Sequence, residues 1–226
     1  LGIPAGLFFS NHWGWHSPFL MIVGLGILAG GFIWYYLKPI NEHLKHPHDN
    51  NPFQHLILTV TNKRYALGFF ATALLSIGGF MLMPFGSAFS VNNMKIPFSD
   101  LPFLYLCTGL SAMFIGPFVG KLSDTFGNFR IFIAGTALTS VMVVVYTNLG
   151  VTPLWLAIVV NSVLFLGIFS RMIPSQALMS AVPAPASRGA FMSISASLQQ
   201  MAGGLAAIFA GLIVVEGADG RLEHFD

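Results

Sequence analysis

Six apolar runs, each about as long as a helix that crosses a bilayer core, alternate with short polar stretches along this chain. They occupy residues 18–37, 66–89, 101–120, 131–149, 153–173 and 189–215, and Arg171 is the one charged residue inside any of them. Residues 1–10 are also apolar but half as long, and are expected to be the tail of a further helix. No run shows the two-residue alternation of a barrel strand, so the pattern predicts an all-α, polytopic membrane fold. Residues 11–17 form a short turn with Trp13 and Trp15 at headgroup level, and Trp34, Tyr35, Tyr36 and Lys38 anchor the far end of the first full span. The connections at 90–100, 121–130, 147–152 and 174–188 are short, so consecutive helices are expected to be antiparallel neighbours. The longest polar stretch, residues 39–62, reads as a linker between segments 1–38 and 63–226.

Composition changes the picture only by removing alternatives. Charged residues make up 8% of the 226 and apolar ones 55%, with mean hydropathy +0.75. A soluble domain is charged at roughly a quarter of its positions, so this chain's outside must meet lipid. The net charge of +2 and the absence of basic clusters exclude a nucleic-acid partner. Cys107 stands alone, so no internal disulfide is available. His43, His46, His48 and His55 lie scattered in the linker without ligand spacing and read as a solvated loop; no metal or cofactor is expected. Patterns for a zinc protease, a serine hydrolase or a phosphate loop are missing, so an enzyme is not expected.

Charge also orients the chain. With the 121–130 turn placed in the cytoplasm, that side collects Lys38, Lys45, Lys63, Arg64, Lys121, Arg130, Arg171 and Arg188, against Lys95 and Arg221 opposite. The linker is then cytoplasmic, and the acidic tail 216–226 lies on the far side.

The 121–130 turn carries the most specific signal. Gly120, Leu122, Asp124, Gly127 and Arg130 stand in GKLSDTFGNFR with the spacing of a G-x-L-a-D-r-x-G-r-k pattern. Gly120 would allow close helix approach, Asp124 offers an anion to a helix N-terminus, and Gly127 permits a tight turn. The turn resembles the loop signature of the major facilitator superfamily, in the eroded copy between the eighth and ninth helices, because Thr125, Asn128 and Phe129 replace basic positions. The resemblance implies that the chain covers about helices five to eleven of twelve, with 39–62 as the loop between halves and one more helix expected beyond the far-side tail. Residues 2–6 (GIPAG), residues 14–19 (GWHSPF) and Arg188-Gly189 are similar to junctions of the drug and sugar efflux members, although His16 stands where Arg is common.

Function follows from that resemblance: a monomeric secondary transporter in a bacterial inner membrane, moving a small organic solute by alternating access, as an efflux antiporter. A sugar or metabolite uptake symporter, or a sensor or scaffold on the same fold, is the alternative. The family's cavity helices would present Thr72 and Ser76, then Tyr105 and Thr108, then Asn161, then Ser193, Ser197 and Gln200 as substrate-lining groups. Each Ser or Thr has the rival reading of a bond to its own helix carbonyl, whereas the two amides need partners. Gly120, Asp124, Gly127, Arg130 and Arg188 would form the gating motif. The uncharged lining with abundant Phe and Met suggests a neutral or amphipathic solute. If a proton is the coupling ion, its carboxylate lies outside these spans, which contain no Asp or Glu. Arg171 either snorkels to the interface or faces the cavity and meets an anionic group. Gly203, Ala207 and Gly211 read as a helix-packing stripe.

Overall fold

The computed structural model describes residues 2–37, 52–217 and 220–223. The chain divides into two compact units, Leu1–Pro52 and Phe53–Asp226. His43, His46, His48, Lys38 and Lys45 lie outside the described residues, as does the His55 side chain.

The first unit is a helical hairpin of α1 (Gly2–Trp13) and α2 (Ser17–Tyr36). α1 runs past the expected end at residue 10, because nothing in Asn11, His12 or Trp13 breaks a helix before Gly14. Gly14, at φ +83°, makes the turn, and the Ser17 hydroxyl donates to Phe9 O at 2.7 Å. α2 buries no residue within the unit, as expected of a helix that is apolar all round and meant for lipid or further helices.

The second unit holds α3 (Pro52–Val60), α4 (Lys63–Leu82), α5 (Gly86–Asn92), α6 (Leu101–Phe126), α7 (Asn128–Thr147), α8 (Leu154–Ser180), α9 (Arg188–Ile213) and a small hairpin of β1 (Val215–Glu216) and β2 (Leu222–Glu223). α3 occupies the end of the expected linker, where Leu56, Ile57, Leu58 and Val60 form a helical apolar run. Asn62 caps α4 by accepting from Arg64 N at 3.0 Å. The run 66–89, expected as one helix, is divided by a 3₁₀ turn at Met83–Phe85, because Pro84 has no N–H to give and fits a helix start rather than an interior. Among the described residues, six helical stretches are long and apolar enough to cross a membrane.

Packing departs from chain order. α7 meets α8 antiparallel, as expected, with Gly135 against Ser170 and Gly167 against Thr139. The other principal contacts join non-consecutive helices that run parallel: α6 with α8, and α4 with α9. Along α4 and α9, Gly68 meets Phe191 and Phe80 meets Gly203, so the two helices keep one register over about three turns. Small residues set this order, because in lipid, contact forms where backbones can approach rather than where sequence neighbours lie.

Two apolar clusters hold the ends. Phe89, Met94, Ile96, Leu101, Leu104, Tyr146, Ala157, Val160 and Leu164 form the larger, at the end remote from the 121–130 turn. Tyr65, Phe69 and Phe191 form the smaller, with Phe191 stacked on Phe69 at 4.8 Å and edge-on to Tyr65 at 5.4 Å. Beside the larger cluster, Asn93 ties the hairpin down: its Nδ2 donates to Leu222 O at 3.0 Å and its Oδ1 accepts from Leu222 N at 2.9 Å.

Candidate transport site

α9 has two chemically different sides. Phe191, Ser195, Gly203, Ala206 and Ala210 are buried, and Phe191 and Gly203 face α4. Ser193, Ser197 and Gln200 follow i, i+4, i+7 spacing on another side and are exposed, with Gly204 continuing the line. A stripe of hydroxyls and an amide is unfavourable against hydrocarbon, so this side belongs against water or protein. Ser197 donates to Ser193 O at 3.1 Å, while the Ser193 hydroxyl and the Gln200 amide bond no described residue.

The other candidates are not brought to one place. Thr72 donates to Gly68 O at 2.9 Å and the buried Ser76 to Thr72 O at 2.8 Å, so both satisfy themselves on their own helix. Thr108 is buried and bonds Leu104 O at 2.6 Å. Asn161 is half-buried and spends one Nδ2 hydrogen on Ala157 O at 2.9 Å, keeping Oδ1 and its second N–H for a ligand. Tyr105 pairs with Ser87 at 2.6 Å, joining α6 to α5. Sequence reasoning missed the polar contact in which Ser162 donates to Ser111 at 3.2 Å from α8 to α6. Its signal was present: each serine sits within three residues of a chosen candidate, Asn161 or Thr108.

The 121–130 turn is built differently from its motif reading. Gly127 is the left-handed residue the turn requires, at φ +90°. The polar tie across it runs from the Ser123 hydroxyl to Asn128 Oδ1 at 2.6 Å, while Asp124 is exposed and bonds no described residue. Nothing lies within 4 Å of a side chain added at Gly120, so Gly120 does not mark a close helix approach among the described residues. Gly211 is equally open, and of the two stripe glycines Gly203 alone lies close to a neighbour, with Ala206 and Ala210 buried beside it. Arg130 and Arg188 are exposed, with Arg188 opening α9.

Arg171 is half-buried in α8, and its Nε is buried without a hydrogen-bond partner. It lies one residue past Ser170, which rests on Gly135 of α7. Gly135 stands about 10 Å along the axis from the start of α7, so Arg171 is inside the helical layer rather than at its rim.

Long apolar helices, hydroxyls returned to their own carbonyls and one open polar stripe make this a multi-pass membrane protein of the transporter class. The sequence model of the Major Facilitator Superfamily matches residues 1–207, and the chain belongs to that family. Membership implies secondary transport of a small solute across a bilayer rather than enzymatic turnover. No solved structure matches the chain.

Proposed function

We propose that the chain is part of an efflux antiporter that moves a small organic solute by alternating access, with the exposed side of α9 lining the solute path. The supporting observation is the Ser193, Ser197 and Gln200 stripe, which is polar and open on a helix otherwise fit for lipid. The excess of Lys and Arg near the 121–130 turn supports a cytoplasmic location for that end and for the 39–62 linker, in a bacterial inner membrane. The GIPAG and GWHSPF junctions favour the efflux branch over uptake. Asp124, Arg130 and Arg188 stand exposed near that end and are available to contacts that close it.

Reconstitution of the full-length protein into liposomes tests this reading. Counterflow of labelled solute, driven outward by an imposed proton gradient and reduced by Gln200→Ala, is the expected result. Ligand binding without flux in either direction would make the protein a sensor on the same fold.

A further inference from the structure

Arg171 is the one charged residue in the interior of the described spans of the second unit, and it makes no hydrogen bond or ion pair with any described residue. It does not occupy the lipid side of α8. Leu164 and Gly167, seven and four residues before it, and Pro174 and Ser175, three and four after it, are all buried, so Arg171 shares their face. Met172 and Gln176 mark the exposed side instead. Its Nε is sealed on that buried face, so the root of the guanidinium lies among helices rather than at headgroup level. A guanidinium never loses its charge under these conditions, and taking it from water without an acceptor is unfavourable. Its planar fork matches a carboxylate or phosphate.

We propose that Arg171 is an anion-recognition residue and that the transported solute carries a carboxylate or phosphate group. This rests on the transporter reading above, and it adds a charge requirement to a path whose other groups are neutral. The acceptor would enter from the end that carries the 121–130 turn, about 10 Å above Arg171.

The test uses the full-length protein in phosphatidylcholine nanodiscs, with benzoate and inorganic phosphate as anionic probes and benzamide and glycerol as neutral ones. At least one anion should raise the melting temperature of the wild type while the neutral probes do not. R171Q should raise the half-saturating concentration of that anion at least tenfold, and R171K by less, since it keeps the charge but loses the fork. Without anions R171Q should melt no lower than wild type, because it removes an unpaired charge. A shift that survives in R171Q overturns the proposal. So does one that appears only when phosphatidylglycerol is added, which would make this a lipid headgroup site. A lower melting temperature of anion-free R171Q, with no anion shift in wild type, overturns it by showing the guanidinium already paired with a carboxylate of the chain. Flux of neutral solutes that ignores Arg171 would leave the transporter reading standing and remove this one; Arg171-dependent anion binding without flux would do the reverse.

Discussion

The α7–α8 crossing should be the least forgiving contact in the second unit, and Gly135→Ala measures it. A methyl at Gly135 would lie 2.5 Å from the Ser170 carbonyl carbon and 2.7 Å from both Ser170 Cβ and the carbonyl oxygen. Two of these three atoms are backbone, so no rotamer change relieves the overlap. Pro174, four residues on, cannot donate to that same carbonyl, which leaves α8 locally without the bond that would otherwise hold its shape. Overpacking of a close-packed contact is destabilising by about 1–3 kcal/mol. At about 2–4 °C per kcal/mol for a chain of this size, the melting temperature should fall by about 2–12 °C. Gly167→Ala should follow, since its methyl would meet Thr139 Oγ1 at 2.8 Å and Thr139 N at 3.0 Å. Gly203→Ala should be milder, because the obstacle at 2.7 Å is the Phe80 ring, which can swing. Gly211→Ala meets nothing within 4 Å and should be neutral or stabilising, by at most the roughly 0.5–1 kcal/mol that replacing a mid-helix glycine is worth, since it lies in the last turn of α9. Fluorescence-detected size exclusion after heating the detergent-purified protein would rank the four. An order with Gly211 worst, or four equal losses, would refute the close-approach reasoning.

Asn93→Ala removes both bonds to Leu222, so amide exchange in β2 should rise at least tenfold while the main helices keep their protection; unchanged exchange would mean that the hairpin is held by something else. Tyr105→Phe and Ser87→Ala should each lower stability by about 0.5–1.5 kcal/mol and the double variant by no more than one of them, since they share a single bond; additive losses in a thermal double-mutant cycle would contradict this. Gln200→Ala should weaken solute binding about 5–10-fold in a ligand titration and Asn161→Ala by less, because Asn161 is half-buried and already spends one of its two N–H donors on Ala157 O; the reverse order would move the solute path from α9 to α8. Asp124→Asn should slow transport more than it weakens binding, and spin-label distances showing unchanged open and closed populations would reduce the turn to a connector.

The spans were legible in the sequence because lipid imposes a length and forbids charge, and both constraints act on every residue of a run. Helix ends were less so. Trp13 extends α1 and Leu56 to Val60 form α3 because polarity marks leaving the membrane, not leaving the helix. Pro84 stands in an otherwise unbroken apolar run, so hydropathy alone does not show the break it makes. The pairing of non-consecutive helices was not legible, since α4 with α9 turns on Gly68, Gly203 and the shape of Phe80 and Phe191, and α6 with α8 on the Ser111–Ser162 contact and the larger apolar cluster. The candidate site fared according to residue type. Thr72, Ser76 and Thr108 returned to their own carbonyls, which a hydroxyl can do from almost any helical position. Asn161 did the same, although an amide was expected to need an outside partner. Spacing alone found the Ser193, Ser197 and Gln200 stripe, because exposure of a helix face is periodic whereas satisfaction of a single group is not.

The parallel pairs have a further consequence for movement. α4, α6 and α7 form one consecutive set and α8 and α9 begin another; the first helix of each packs against the second helix of the other. Inverted repeats of one helical unit produce this exchange, and transporters built from them move by rocking packed sets of helices. The two pairs are held by different chemistry. α6 and α8 share a serine pair and the larger apolar cluster, and α7 locks onto α8 backbone to backbone at Gly135. α4 and α9 are joined by aromatic rings against glycines, contacts that can slide by a rotamer step. The chain passes from α4 toward the α6–α7–α8 set through the 3₁₀ turn at Met83–Phe85, where Pro84 interrupts the helical ladder. Bending is easiest at that turn, so the exposed polar stripe on α9 would move with α4 while Arg171 stays with the rigid set on α8.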